Sequence, residues 1–423
     1  MPKSFDGPLC STNRLVVPKS LAETKSINVA ALNGSSSEKE TPVASCIVVG
    51  SEGRCVVAGF SDGYLHMWGR NRANTASQFF HIGSRLASPD SEDTAPEVYD
   101  LALSGSLLIS GGADGVVRSF RARVDADEEE EDDEEDPIEP DHDFYPLRPF
   151  EGTTEVVRGE QTCVSCVALP PDSSGSAAPS ALPEKWAVSG GHDGALCVWD
   201  ADGGERLQRV LLGSLTTTKS KRAKRSAPWV VGVSIGIEKQ GNRPIVLSAN
   251  VDGELVLWVP NKEGASEEEA LVRLVQLRGA GGLTAPLQTA KLSPDATWIA
   301  AGFANGALSV WNAQAPSKFS PEASETELKS VRLGGAGDGP GVSSLCWRAE
   351  GSSRLSLLVG SEGGACERWS LGGALSGGNK LAQPAMQLDE AGEIYMMGSC
   401  APTGEVFLAS GSGEVHGLGV APE

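Results

Sequence analysis

The sequence predicts an all-β fold: a single seven-bladed β-propeller of four-stranded blades, closed by an N-terminal strand. Three observations carry that expectation. An apolar hexapeptide ending in small residues occurs seven times in the 423-residue chain, a Gly-containing turn follows it, and a short strand that closes on an aromatic residue in six of the seven follows the turn. Units that recur this regularly cannot bury their apolar faces alone and must stack on their neighbours.

The hexapeptides lie at 55–60 (CVVAGF), 107–112 (LLISGG), 186–191 (WAVSGG), 245–250 (IVLSAN), 298–303 (WIAAGF), 357–362 (LLVGSE) and 406–411 (VFLASG). Their small terminal residues suit the inner part of a blade, where strands crowd the central channel. The turns are SDG at 61–63, ADG at 113–115, HDG at 192–194, VDG at 251–253 and ANG at 304–306, with the last two reduced to Glu362-Gly363 and Ser412-Gly413. Asp or Asn bonds its own backbone and Gly accepts positive φ, which is hairpin chemistry. The strands that follow close on Trp68, Phe120, Trp199, Trp258, Trp311, Trp369 and Leu418, so that five of nine tryptophans share one structural position. Ahead of the hexapeptides lie further apolar strands, clearest from Val98, Val164, Val230 and Val342.

These residues resemble the WD-repeat family, whose units pair a Gly-rich hairpin with a closing Trp-Asp. Trp199 and Asp200 keep the literal dipeptide, and the resemblance runs from about residue 26 to 420. It implies a propeller that works as a platform for other macromolecules. The turns recur every 50 to 79 residues, against about 40 to 45 in typical units, so the excess belongs in loops.

The final repeat ends too soon for a fourth strand, and residues 26–32 (SINVAAL) have the length and apolar character to supply it. Segments 207–212, 271–277 and 328–333 have the same character and read as outer strands. The chain then divides into an extension (1–25), the propeller (26–420) and a short end (421–423). With strands lettered a to d from the channel outward, a/b and c/d connections lie on one face, and b/c and d/a connections on the other. An acidic insert (123–143) and a Pro/Ser-rich stretch (170–183) belong to the first face, and a basic loop (214–227) to the second.

A formal net charge of −21 disfavours direct binding to nucleic acid or anionic lipid, which requires surface cations. Eleven of the acids sit in 125–136, so roughly half of the excess is local and self-repelling, a segment expected to stay disordered or to hold basic proteins. No apolar run approaches the roughly 18 residues that cross a bilayer, and the MPKSFDG start lacks a signal-like apolar stretch. Nine scattered cysteines do not form a disulfide framework. A reducing, intracellular setting follows from these features.

Within the basic loop, Lys219, Lys221, Arg222, Lys224 and Arg225 have the order of a nuclear import signal, and nuclear residence is favoured over cytoplasmic on that account. Cys163 and Cys166 form a CxxC without the second pair that zinc requires. The five histidines, His66, His81, His142, His192 and His416, fall in no metal-binding spacing, so packing or surface roles are expected. No phosphate-binding, dinucleotide or nucleophile-elbow motif is present. Catalytic residues, cofactors and metals are therefore expected to be none. The function so indicated is a non-enzymatic protein-interaction scaffold, monomeric within a larger protein or ribonucleoprotein assembly such as ribosome maturation or chromatin. Two alternatives stand beside it: a substrate receptor of a cullin-type ubiquitin ligase, whose Trp-Asp-x-Arg motif is incomplete at both Trp68 and Trp199, and a propeller hydrolase.

Overall fold

Seven antiparallel sheets stand around a common centre in the computed structural model. It describes residues 9–15, 42–50, 53, 55–69, 80–87, 95–121, 150–151, 163–171, 186–200, 205–212, 227–238, 243–261, 270–278, 285–313, 329–333, 339–350, 354–370, 379–380, 386–387, 394–399, 405–410 and 415–420. Each inner strand touches the inner strand of both neighbouring blades, and the last, Ile394–Ser399, touches the first, Ala44–Val49. The ring is closed. Between these two, the inner strands are Val98–Ser104, Val164–Ala168, Val230–Glu238, Leu287–Leu292 and Val342–Glu350.

Both faces of a blade are covered, so the second strand of each is buried along almost its whole length rather than at alternate positions. Cys55–Phe60 is an example, with every residue buried. Seven apolar clusters fill the seven seams between blades. One packs Phe407 and Ala409 of blade seven against Ile47, Val56 and Trp68 of blade one, and another packs Leu257 of blade four against Ile299 and Trp311 of blade five. The repeated tryptophans all point into the seam with the preceding blade, where Trp68, Trp199, Trp258, Trp311 and Trp369 are 1% to 7% exposed. In blades three and four the indole also donates a 2.8 Å hydrogen bond, from Trp199 to Ser189 Oγ and from Trp258 to Ser248 Oγ.

The hairpin turns behave as their residues dictate. Gly63, Gly115, Gly194, Gly253, Gly306 and Gly364 all hold φ between 74° and 82°, the left-handed region open to glycine. One step earlier, the side-chain oxygens of Asp62, Asp114, Asp193 and Asn305 accept the N–H two residues on, at 3.1 to 3.2 Å.

Cross-strand register corrects the sequence alignment in the last two repeats. The aromatic position faces the second residue of the hexapeptide in the first five blades, as in Val56 opposite Trp68 and Ile299 opposite Trp311. In blade six Leu357 faces Trp369, and in blade seven Val406 faces Leu418. The equivalent hexapeptides therefore begin one residue earlier, at Ser356 and Glu405. The sixth turn is correspondingly Glu362-Gly363-Gly364, with Gly364 rather than Gly363 in the left-handed role. The seventh turn lies outside the described residues.

A second correction concerns the outer strand of blade seven. Leu9–Leu15 pairs antiparallel with Val415–Val420 and completes that sheet. Residues 26–32, assigned to this place from the sequence, lie outside the described residues, and the supposed extension 1–25 supplies the strand instead. An outer strand has one edge and much of one face toward solvent, so apolar content is a poor guide to it. The other outer strands show the same latitude. Among the described residues that of blade two is Phe150–Glu151, and the outer edge of blade six is shared by Asn379–Lys380 and Met386–Gln387.

Removing residues 1–15 should strip the outer edge from Val415–Val420 and lower the unfolding temperature by several degrees, with aggregation on heating. Thermal unfolding of the truncated chain followed by circular dichroism checks this. An unchanged transition would show that the strand contributes nothing to the ring.

Candidate functional site

Every inner strand carries the same irregularity near its start. The ladder to the next strand slips by one residue in all seven blades, which leaves Ser45, Tyr99, Ser165, Val231, Gln288, Ser343 and Tyr395 as the bulged residues. A bulge frees one side chain from the alternation of its strand and re-aims it. Three of these serines use that freedom to tie blades together. Ser45 donates to Val98 O, Ser165 to Val230 O and Ser343 to Ile394 O, each the first residue of the next inner strand. Two further ties lie deeper. The carboxylate of Asp100 accepts from Val167 N at 2.8 Å, and Ser234 Oγ accepts from Leu292 N at 2.7 Å. Burial raises the Asp100 carboxyl above its ordinary value, while Lys291 and the two backbone N–H donors pull it down.

The bulged residues of blades seven, one, two and three open onto a cavity of about 970 Å³ on the face of the b/c turns. Tyr395, Ser45, Tyr99 and Ser165 line it together with Pro42, Val43 and Glu97, which precede inner strands, and Ser61, Asp62 and His192, which belong to b/c turns. Burial raises the carboxyl of Glu97 above the usual carboxylate range. It also raises the phenol of Tyr99, helped by Glu97 and Cys163.

Aromatic rings border this cavity. Trp229, just ahead of its inner strand, is 51% exposed and lies flat on His192, with ring centroids 4.2 Å apart and planes 10° from parallel. Tyr99 stacks on the same imidazole at 6.3 Å and 23°. Tyr395 of blade seven, 39% exposed, belongs to the same lining. These rings escaped sequence analysis because Trp229 stands apart from the repeated tryptophan position, and His192 occupies a turn position where the other blades carry Ser, Ala, Val, Glu or Gly. The one available signal was a tryptophan that the repeat did not account for.

Cys163 sits beneath His192, with Sγ within hydrogen-bond reach of Nδ1. A Cys beside a His is the arrangement of a nucleophile and its base, which would require a thiolate. Here the values run the other way. Burial, with Asp193 nearby, pushes the thiol up to about 11, and burial lowers the imidazole below its ordinary value. Both groups are neutral at pH 7, so the contact joins a thiol to a neutral imidazole rather than a thiolate to an imidazolium. The contact fixes the plane of His192, and through it the plane of Trp229.

Other residues singled out from the sequence do not join this site. Cys166 is buried within Val164–Ala168, with its sulfur against Gly190 O at 3.9 Å, so the two cysteines of the CxxC have different partners. His66 packs against Phe60 at 4.9 Å inside blade one, the packing role expected of it. The side chains of His81 and His416, and the whole of His142, lie outside the described residues. So do the acidic residues 125–136 and the basic Lys219, Lys221, Arg222, Lys224 and Arg225. Among the described residues no group of three or more His, Cys, Asp or Glu is placed to hold a metal ion, and no helix is long and apolar enough to cross a membrane.

Comparison with known proteins agrees with the fold. The sequence profile of the WD domain, G-beta repeat, matches residues 152–200. This is the blade that keeps Trp199-Asp200, the HDG turn and the Trp199–Ser189 hydrogen bond. The solved structure of U3-55K superposes with a TM-score of 0.58 at 14% identity, over 90% of this chain and 97% of that one. No curated protein sequence matches the chain.

The raised thiol value predicts slow chemistry at Cys163. Alkylation by iodoacetamide, followed at peptide level by mass spectrometry, should be negligible at pH 7 to 8 in the folded chain and rise only as pH approaches about 11. Rapid labelling at pH 7 would show a thiolate and restore the nucleophile assignment.

Proposed function

We propose that this chain, a seven-bladed propeller of the WD-repeat family, is a non-enzymatic scaffold that holds protein partners in a multiprotein or ribonucleoprotein assembly. Its docking surface in this proposal is the cavity mouth on the b/c face. One observation carries the reading: a half-exposed indole, Trp229, is held flat by His192 at the rim of a large cavity. An exposed aromatic side chain that is already immobilised loses little entropy on binding, which is the property of interface anchors. The protonation states of Cys163 and His192 favour binding over catalysis, since neither offers a base-activated nucleophile at neutral pH.

The proposal extends to location. The basic run 219–225 lies in the connection between Leu212 and Ala227. Leu212 N bonds Gly194 O, and Ala227 packs at the same turn, so both ends of the connection are fixed on the mouth face. A basic segment offered from a rigid disc supports nuclear import, and the acidic insert supports basic partners of the kind met in ribosome maturation or chromatin.

Two outcomes are expected. Trp229→Ala should strip partners from the chain in co-purification from native cells followed by mass spectrometry, with the unfolding temperature almost unchanged, because an exposed side chain contributes within about 0.5 kcal/mol. Full retention of partners would exclude this mouth as the docking surface. Changing Lys219, Lys221, Arg222, Lys224 and Arg225 together to Ala should move a tagged chain from nucleus to cytoplasm. A variant that stays nuclear, or a parent chain that is cytoplasmic, would remove the import assignment.

A further inference from the structure

Two aromatic rings at the mouth rest on one imidazole. Trp229 lies 4.2 Å from His192 and Tyr99 lies 6.3 Å from it, centroid to centroid, so the two outer rings stand no farther apart than about 10.5 Å. Each also carries an idle donor. Neither the indole N–H of Trp229 nor the hydroxyl of Tyr99 has an acceptor among the described residues. His192 covers one face of the indole, and half of Trp229 remains exposed.

Three of the recurrent ways of holding a peptide are closed at this mouth. Strand addition requires an open strand edge, and the carbonyls that begin two of the inner strands, Val98 O and Val230 O, already accept from Ser45 and Ser165. An amphipathic helix requires a continuous apolar groove, whereas Pro42 and Val43 share the walls with Ser45, Ser61, Ser165 and Glu97. A phosphorylated or acidic segment requires clustered Arg, and the lining presents Glu97 with no Lys or Arg among the described residues.

We propose that the mouth takes a proline-rich segment of a protein partner in the polyproline II conformation, an assignment that deepens the docking function proposed above and rests on it. That helix completes a turn in three residues and rises about 9.3 Å in doing so, which places prolines at i and i+3 on one edge at a spacing that Trp229 and Tyr99 can meet together. It has no internal hydrogen bonds. Its carbonyls are therefore available to the indole N–H and the phenol, and proline brings no N–H that the walls would have to satisfy. Aromatic-lined grooves are the surfaces on which such segments dock. Both sides of the contact are ordered in advance, Trp229 by its stack on His192 and the segment by its fixed φ, so docking loses little entropy. The volume, about 970 Å³, is at the upper end of the roughly 300–1,000 Å³ of small-molecule sites, enough for one turn of the segment.

The probe is a fluorescein-labelled peptide, Gly-Ser-Pro-Ala-Ala-Pro-Ala-Ala-Pro-Gly-Ser, titrated with the full chain and followed by anisotropy. One companion peptide replaces its prolines by Ala, a second keeps them but sets them at every second position, and a third replaces them by Lys. Each companion should bind about tenfold more weakly or worse. Trp229→Ala and Tyr99→Ser should each weaken the proline peptide by about tenfold, and Tyr99→Phe, which keeps the ring and removes only the donor, by about threefold. Unfolding temperatures should match the parent chain, since three other blades already hold Ser where Tyr99 stands and Trp229 is half exposed. No proline binding at millimolar concentration, equal or tighter binding of any companion, or affinity unchanged in both Trp229→Ala and Tyr99→Ser would overturn the proline assignment. If Trp229→Ala still strips native partners in that event, the docking function stands without it. Retention of those partners overturns the docking function itself.

Discussion

The ring depends on one close contact repeated at its inner edge. The first residue of an inner strand inserts against a glycine of the preceding blade: Val98 on Gly59, Val164 on Gly111, Val230 on Gly190, Val342 on Gly302 and Ile394 on Gly360. A Cβ on any of these glycines would come within 2.3 to 2.9 Å of that side chain, closer than real Cβ atoms approach. The spacing of the blades at the channel is therefore set by the absence of a methyl group. The two seams without the glycine solve the same problem by volume. Ala409 meets the small Ala44, and Ala249 meets Leu287, which is not branched at Cβ. Everything farther out, from the seam clusters to the buried tryptophans, assumes this inner spacing.

That contact also explains where the polar ties fall. Immediately after the inserted residue the strand bulges, and the freed side chain either reaches across to the next blade or faces the open mouth. Serines at Ser45, Ser165 and Ser343 do the first. Tyrosines at Tyr99 and Tyr395 help wall the cavity. Asymmetry in an otherwise repeated ring comes from the residue placed at this single position, together with the turns and the segment before each inner strand. Trp229 and His192 come from those two sources, their rings stacked nearly parallel, with Cys163 Sγ against His192 Nδ1.

Most of the architecture was legible in the sequence because each repeat states it again. The turn pairs and the tryptophans mark equivalent positions, and an error in one repeat is outvoted by the others. Legibility failed where a signal is shared by two readings. In blade six the apolar run Leu357-Leu358-Val359 can be aligned one residue either way, and only the pairing of Leu357 with Trp369 decides. The outer strand of blade seven could be sought anywhere ahead of residue 44, and the less apolar Leu9–Leu15 fills the place. The mouth was hidden for a different reason. Its rings come from blades two, three, four and seven, and no local pattern announces that Tyr99, His192, Trp229 and Tyr395 share one face. Cys163 was visible as half of a CxxC, and its true partner lies 29 residues away.

The sevenfold bulge separates two burdens that most folds place on the same residues. Except at Val231, which packs against the cluster between blades four and five, the side chain it releases belongs to no seam cluster, so replacing it leaves the packed seams in place. Ser, Tyr, Val and Gln already occupy the position within this one chain. Mouth chemistry can therefore drift under selection while the ring that supports it remains constant. A propeller built this way would diversify its recognition by single substitutions at seven sockets, without first accumulating the compensating changes that a packed core demands.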